Sequence, residues 1–452
     1  MIGSIPPRNL EMPIMPARLN RRRFLQSTAA IGAAGFSATW LRAADKPKEK
    51  ISPNEKLHIA MVGTAAQASY SWGELRNIKN AEIVALCDVH ESRTGPARQA
   101  FPKATFDVDF RKMLDRKGID AVVVATPDHV HAPASLAALR SGRHVYCEKP
   151  LTHTVYEARL VAETAAKHKR VTQMGTQIHA GSNYRRVVEL VQSGAIGPVN
   201  EVHVWCGKSW GGGERPTTTP PVPPDLHWDL WLGPAPERPY HPDYMPFIWR
   251  KWWDFGSGTL GDMACHYMDL PFWALKLRHP TRVEASGTPL SPETCAVSLT
   301  VNYEFPARDD QPAVKLSWYD GGRRPEIFKS GKLPRWGDGV LFVGSKGMLI
   351  ADYGNHRLLP EKDFAGFKAP EPFIPNSIGH HREWVEACLK GEPTTTCDFH
   401  YSGALSEAVL LGNVAYRLGK PLDWDAKALK ATNEPDAEKF IRKEYRKGWE
   451  IA

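Results

Sequence analysis

The stretch His144-Val145-Tyr146-Cys147-Glu148-Lys149-Pro150 decides how the first half of this chain is read. Ser141-Gly142 closes a helical pattern just upstream, and His144 to Cys147 then reads as a short strand of β-branched and aromatic character. Pro150 has no N–H to give a ladder, so the strand stops and the turn is stiff. In an open α/β sheet, ligands sit outside the carboxyl ends of the strands. Glu148 and Lys149 stand at such an end. Taken alone, Glu-Lys-Pro is a surface turn; the segments on either side argue for more.

Those segments alternate. Leu57 to Val62 is an apolar run ending at Gly63, Ala81 to Cys87 one ending at Asp88, and Ala121 to Ala125 one ending at Thr126-Pro127-Asp128. Helical patterns fall between them, with Val130 to Arg140 and Val155 to His168 flanking the opening strand, and Val171 to Met174 makes a sixth strand. Apolar strands alternating with helices of about ten residues mean a parallel sheet with crossovers. The expected fold is α/β plus α+β: a doubly wound Rossmann sheet first, then a mostly antiparallel sheet with helices on one face. Six strands are expected in the second part: Val199–Trp205, Arg282–Ser286, Ala296–Tyr303, Val314–Tyr319, Leu341–Val343 and Met348–Ala351. Two helices, roughly His380–Lys390 and Tyr401–Leu418, close the chain. The expected division is a leader at 1–44, a linker at 45–55, a nucleotide-binding domain at 56–178 and a substrate and oligomerisation domain at 179–452.

The composition, 42% hydrophobic and 24% charged, is that of a soluble globular protein. The net charge of +8 is no argument for nucleic acid, because six arginines against Glu11 put five of those charges in the first 44 residues. No basic stripe interleaved with stacking aromatics follows. Arg21-Arg22-Arg23-Phe24-Leu25-Gln26, then an Ala- and Gly-rich apolar stretch to Leu41, resembles a twin-arginine export signal. The expected location is therefore periplasmic or otherwise exported, with the export machinery as a partner. Seven cysteines, an odd number at irregular spacing with no Cys-x-x-Cys, exclude a disulfide scaffold and a structural zinc site.

The first strand-turn-helix is where a G-x-G-x-x-G fingerprint belongs. The sequence has Gly63-Thr64-Ala65-Ala66-Gln67-Ala68, with the first glycine present, Ala65 in place of the second, and Ala68 acceptable as the third. A methyl group at Ala65 crowds a pyrophosphate. Asp88 ends the second strand 25 residues after Gly63, where an acid bonds ribose hydroxyls and favours NAD over NADP. Further on, Asp262, His266 and Asp269 share a helix face. An Asp beside a His can orient the ring and support imidazolium formation, and a neutral His can take the proton of a hydroxyl being oxidised. No companion cluster argues for a metal.

Glu148-Lys149-Pro150 after a fifth strand, with Asp262 and His266 on a later helix, resembles the glucose-fructose oxidoreductase / inositol dehydrogenase / rhizopine-catabolism (Gfo/Idh/MocA) family from about Lys56 onward. The resemblance implies an NAD(P)-binding domain and an open-faced second sheet for a sugar, polyol or cyclitol. It implies Lys149 and His266 as catalytic residues with Asp262 as partner. Gly63, Thr64, Ala65, Asp88, Thr126, Pro127, His131, Glu148 and Lys149 would line the cofactor site; Gln177, His179 and Asp269 would face substrate. A homo-oligomer is expected.

Eight tryptophans lie close to Asp262 in sequence, from Trp205 to Trp273. Their aromatic faces suit a sugar ring, and equally suit packing or a subunit interface. The leading reading is an exported oxidoreductase with a tightly held nicotinamide, since no obvious pool of that cofactor exists outside the cytoplasm. The alternatives are an NAD-dependent glycoside hydrolase with no net redox change, and a non-catalytic sugar-binding relic.

Overall fold

Six strands run parallel in the order β3-β2-β1-β4-β5-β6, in a computed structural model that describes residues 56–392 and 394–451. They are β1 (Leu57–Val62), β2 (Ala81–Cys87), β3 (Thr105–Asp107), β4 (Ala121–Val124), β5 (His144–Glu148) and β6 (Thr172–Gly175). The export signal at 1–44 and the linker at 45–55 lie outside the described residues. Every side chain of β4 is buried, as a strand covered by helices on both faces requires. The chain leaves β1 toward β2 and β3, then returns to its other side at β4, so a crevice opens between the ends of β1 and β4.

The turn after β1 is tight. Gly63 has φ +87°, and a Cβ there would lie 2.5 Å from the Ala125 carbonyl oxygen at the end of β4. The sequence pointed to Ala65 as the awkward residue of this turn. The positive φ instead falls one residue on, at Ala66 (φ 52°, ψ −116°), immediately before the helix Gln67–Leu75. A Cβ is disfavoured in that region of conformational space, where glycine is at ease.

The second sheet has nine strands in the order β13-β12-β11-β7-β10-β9-β8-β14-β15. These are β7 (Val199–Trp205), β8 (Arg282–Gly287), β9 (Leu299–Phe305), β10 (Val314–Tyr319), β11 (Gly339–Gly344), β12 (Gly347–Ala351), β13 (His356–Leu359), β14 (Leu422–Asp425) and β15 (Lys430–Ala431). All neighbours are antiparallel except β7 and β10. β13 to β15 were not anticipated: two to four residues are too few to show a period, and β13 begins with His356 and Arg357.

Residues after 179 also complete the first sheet's core. Trp384, on the helix His380–Lys390, is fully buried with Ile59, Met61 and Tyr146. The helix Phe399–Leu418 packs on Val155–His168, on β8 and on Gly258–Tyr267. The insert between β7 and β8 forms a small core of its own from Trp231, Tyr244, Trp249, Trp252 and Phe255. For those tryptophans, packing rather than an open sugar platform is the answer. Among the described residues no helix is long and apolar enough to cross a membrane.

Trp384→Ala should cost about 3–5 kcal/mol, as for other large buried aromatics, read from denaturant unfolding. Ala66→Gly should raise stability by about 1–2 kcal/mol through release of backbone strain; an unchanged or lowered midpoint would mean that the turn is relaxed as it stands.

Candidate active site

The crevice at the ends of β1 and β4 widens into a cleft. Its lining includes Gly63, Thr64, Ala65, Asp88, Thr126, Pro127, His131, Glu148 and Lys149, so all nine residues expected around a cofactor share one cavity. Asp88 is fixed there. One carboxylate oxygen accepts from the Thr64 N–H (2.9 Å) and hydroxyl (3.0 Å), and the other accepts from the His90 N–H (3.1 Å). A dinucleotide fits this donor set. Asp88 is ready for ribose hydroxyls, Ala66 and Gln67 bring the positive end of the helix Gln67–Leu75 to the cleft although the Ala68 and Ser69 N–H groups donate to the Ala65 and Ala66 carbonyls, and Lys149 lies farther along the wall. Leu230, Trp231, Phe247, Trp249 and Arg250 of the insert supply the opposite wall.

Lys149 follows β5 and reaches across to the helix Gly258–Tyr267. Its ammonium donates to the Asp262 carboxylate (2.7 Å) and to the Asp262 carbonyl (3.0 Å). The same carboxylate oxygen accepts from Arg250 Nε (3.1 Å), and the other accepts from the Trp210 indole N–H (2.8 Å). Burial works against ionising Asp262, but the charges of Lys149 and Arg250 outweigh it and hold the carboxyl well below its usual range. This corrects one expectation. Asp262 does not orient His266; its short side chain is spent on two cations and an indole. His266 Nδ1 is buried without a partner among the described residues. Burial, reinforced by the charge of Lys149, pushes the His266 pKa down to about 3, so the ring is neutral at pH 7. His266 does not line the cofactor cleft; it lies one helical turn beyond Asp262, with its ring centroid 6.5 Å from that of Tyr353.

The remaining expected residues are supports. Glu148 is buried and accepts from Ser71 Oγ (3.0 Å) and Gln177 Nε2 (3.1 Å); burial raises its carboxyl. Gln177, expected to face substrate, instead braces Glu148 and Tyr146 and is not among the residues lining the cleft. His131 is 1% exposed and holds its ring nitrogens 2.7 Å from the Pro150 carbonyl oxygen and 2.9 Å from that of Thr126, clamping two loops together. His179 and Asp269 were expected to face substrate. The structure instead buries them against each other at 2.9 Å, with Tyr401 donating to Asp269 (2.8 Å) and Trp273 stacked on the imidazole at 4.0 Å. A pair 1% and 0% exposed cannot form an open surface. Cys397 joins them, the three ligand-type atoms lying within 4.8 Å of one another.

Sequence reading missed Arg250 and Asp128, and grouped Trp210 with the other tryptophans near Asp262 without its bond to that carboxylate. Asp128 begins the helix Asp128–Arg140, accepts from Ser257 Oγ, and is raised to about 7 by burial. Arg250 sits in a single 3-10 turn, Ile248–Lys251, and Trp210 in irregular chain, with no spacing that ties either to Asp262. Only the signal in Thr126-Pro127-Asp128, an acid just past a strand end, could have singled out Asp128.

A family model described as "Oxidoreductase family, NAD-binding Rossmann fold" matches residues 57–176, and one described as "Oxidoreductase family, C-terminal alpha/beta domain" matches residues 180–310. An alpha-N-acetylgalactosaminidase of Shewanella oneidensis is 26% identical over 201 residues, 40% of this chain and 44% of that protein. An inositol 2-dehydrogenase of Saccharopolyspora erythraea is 31% identical over 150 residues, 32% of this chain and 44% of that protein. The match therefore spans less than half the length of either relative. The WlbA dehydrogenase of Bordetella pertussis, solved with NADH and UDP-GlcNAcA, is 19% identical at a TM-score of 0.58, covering 82% of this chain and 99% of that one. The aldose-aldose oxidoreductase of Caulobacter crescentus, solved with glycerol, is 17% identical at 0.55, covering 82% and 100%. At these identities the structures show the fold. The two family models together take in more than half of the residues, and the chain belongs to the Gfo/Idh/MocA oxidoreductases with their NAD-binding Rossmann domain.

Proposed function

We propose that the protein is an exported NAD-dependent oxidoreductase acting on a hydroxyl of a sugar, polyol or cyclitol. One observation carries this reading: Lys149 lines the cofactor cleft and is bonded to Asp262, on the helix that presents His266 one turn later. A bound nicotinamide supplies the hydride acceptor. Lys149, held by Asp262, offers its remaining N–H to the substrate oxygen and favours its developing negative charge. His266, neutral at pH 7, receives the hydroxyl proton directly or through a water it holds. Asp262 is a positioning residue for Lys149, and Arg250 shares its charge.

General acid-base catalysis contributes on the order of 10²–10⁴-fold, and Lys149→Ala and His266→Ala should each cost roughly that in kcat while leaving NAD bound. The double variant should fall well short of the product of the two effects. Asp262→Asn should act through Lys149: its effect should vanish in a Lys149→Ala background and persist beside His266→Ala. Activity is lost where the base is protonated, so the acid limb of kcat/KM should lie well below pH 6.5, toward the His266 value of about 3. A limb at 6.5 that disappears in His266→Ala would show the ring to be ordinarily solvated.

Asp88, fixed by three hydrogen bonds, should repel a 2′-phosphate, so NAD should bind more tightly than NADP, and Asp88→Ser should narrow the gap. Tighter binding of NADP by the unaltered protein would overturn this assignment.

The likeness to the Shewanella alpha-N-acetylgalactosaminidase supports a second reading, glycoside cleavage in which oxidation and reduction cancel. Incubation with aryl glycosides separates the two: release of the aryl group without net NADH means hydrolysis, and net NADH without release means dehydrogenation.

Export rests on Arg21-Arg22-Arg23-Phe24-Leu25. Lysine at both Arg21 and Arg22 should retain the protein in the cytoplasm of an expressing bacterium; normal export of that variant would remove the compartment from the proposal.

A further inference from the structure

Ser257, which donates to Asp128 of the cleft, also lines a second recess. The helix Phe399–Leu418 contributes Leu410, Asn413, Val414 and Arg417 to it, and the C-terminal segment contributes Lys439, Phe440, Arg442 and Lys443. Arg417 is the unusual member. Its guanidinium lies between two aromatic rings, 4.8 Å from the Trp253 centroid and 4.3 Å from that of Phe440. Among the described residues no carboxylate reaches it as an ion pair and no acceptor takes its N–H groups. Asp254 acts on it only at longer range and is paired with Arg238. The other cations of the recess differ. Lys443 is neutralised by Glu157 at 2.9 Å and Arg442 by Glu438 at 2.5 Å, while Lys439 has no carboxylate partner among the described residues. Glu444, exposed, is the other acid of the lining. A half-buried guanidinium with idle donors, beside an unpaired ammonium, is an incomplete arrangement, because a desolvated charge is costly without a counter-charge.

We propose that this recess binds a small oxyanion, a phosphate or a carboxylate, on the Arg417 guanidinium. The planar fork of an arginine matches two oxygens of such a group, and the stacked rings hold it in one orientation. Apolar walls from Val155, Pro234, Ala235, Leu410 and Val414 lower the local dielectric and strengthen the pairing. Lys439 adds charge at the mouth. The site lies close to the cleft: Asn413 donates to the Ser257 carbonyl (2.8 Å), and the Ser257 hydroxyl donates to Asp128.

The test is calorimetric titration of the full chain with inorganic phosphate in low-salt buffer, with sodium acetate in a parallel arm. Saturable binding is expected, at least tenfold weaker in Arg417→Met. Removing the uncompensated charge should also leave Arg417→Met as stable as the parent, or more so, without phosphate, and should erase the rise in Tm that phosphate gives the parent. Lys439→Gln, at an exposed position, should weaken binding severalfold and carries the test by itself if Arg417→Met does not fold. Saturation by both anions assigns a carboxylate-tolerant site; saturation by phosphate alone assigns a phosphate site. Phosphate binding that survives both substitutions belongs to the turn after β1 and overturns the proposal, as does the lack of saturation by either anion at ~10 mM, where an affinity of even a few millimolar would be visible.

Discussion

The contact between Lys149 and Asp262 ties the two sheets together at the point where chemistry is proposed. One partner follows a strand of the parallel sheet, and the other sits on a helix that packs on Phe399–Leu418, which in turn packs on β8 of the second sheet. Each side chain is 11% exposed, so both charges are largely out of water. A pair of this kind gains little over an apolar contact, yet removing one member costs roughly 3–5 kcal/mol because the other is stranded. Arg250 and Trp210 change that balance. They bond the same carboxylate, so the charge of Asp262 does not rest on Lys149 alone.

This explains why His266 is left alone. A carboxylate one helical turn from an imidazole could have bonded to it, and that spacing is the usual ground for expecting an Asp–His pair. An ammonium at 2.7 Å, a guanidinium and an indole are stronger claimants in a site of low dielectric. Burial, with the charge of Lys149 behind it, lowers the basicity of the ring. In the proposed mechanism this makes a weak base that is not blocked by a proton near neutral pH, with Lys149 sharing the work by stabilising the alkoxide.

The insert and the C-terminal segment do more than decorate the fold. The tryptophan-rich insert forms its own small core and then walls the cofactor cleft. The last residues return to the parallel sheet, where Trp449 packs on Phe110 and Arg140 donates to the Ile451 carbonyl. Helix His380–Lys390 plugs the same sheet with Trp384. A cut at residue 178 separates the sheets, but it divides a continuous core.

Sequence by itself determined what is local. The parallel sheet was legible because buried strands such as Ala121–Val124 are unbroken apolar runs that stop at Gly, Asp or Pro. Gly63, Asp88 and Lys149 were legible because each stands at a strand end, where a doubly wound sheet gathers its ligand-binding groups. Pairings between residues far apart in the chain were decided only by tertiary structure. Spacing along the helix pointed Asp262 at His266, and the approach of β5 to that helix, 113 residues away, gave it Lys149 instead. His179 and Asp269 carry polar side chains that read as surface, and packing against Trp273 and Tyr401 buried them. Local pattern records which face of an element is apolar; it does not record which charge from elsewhere will arrive, and that arrival fixes the chemistry of the site.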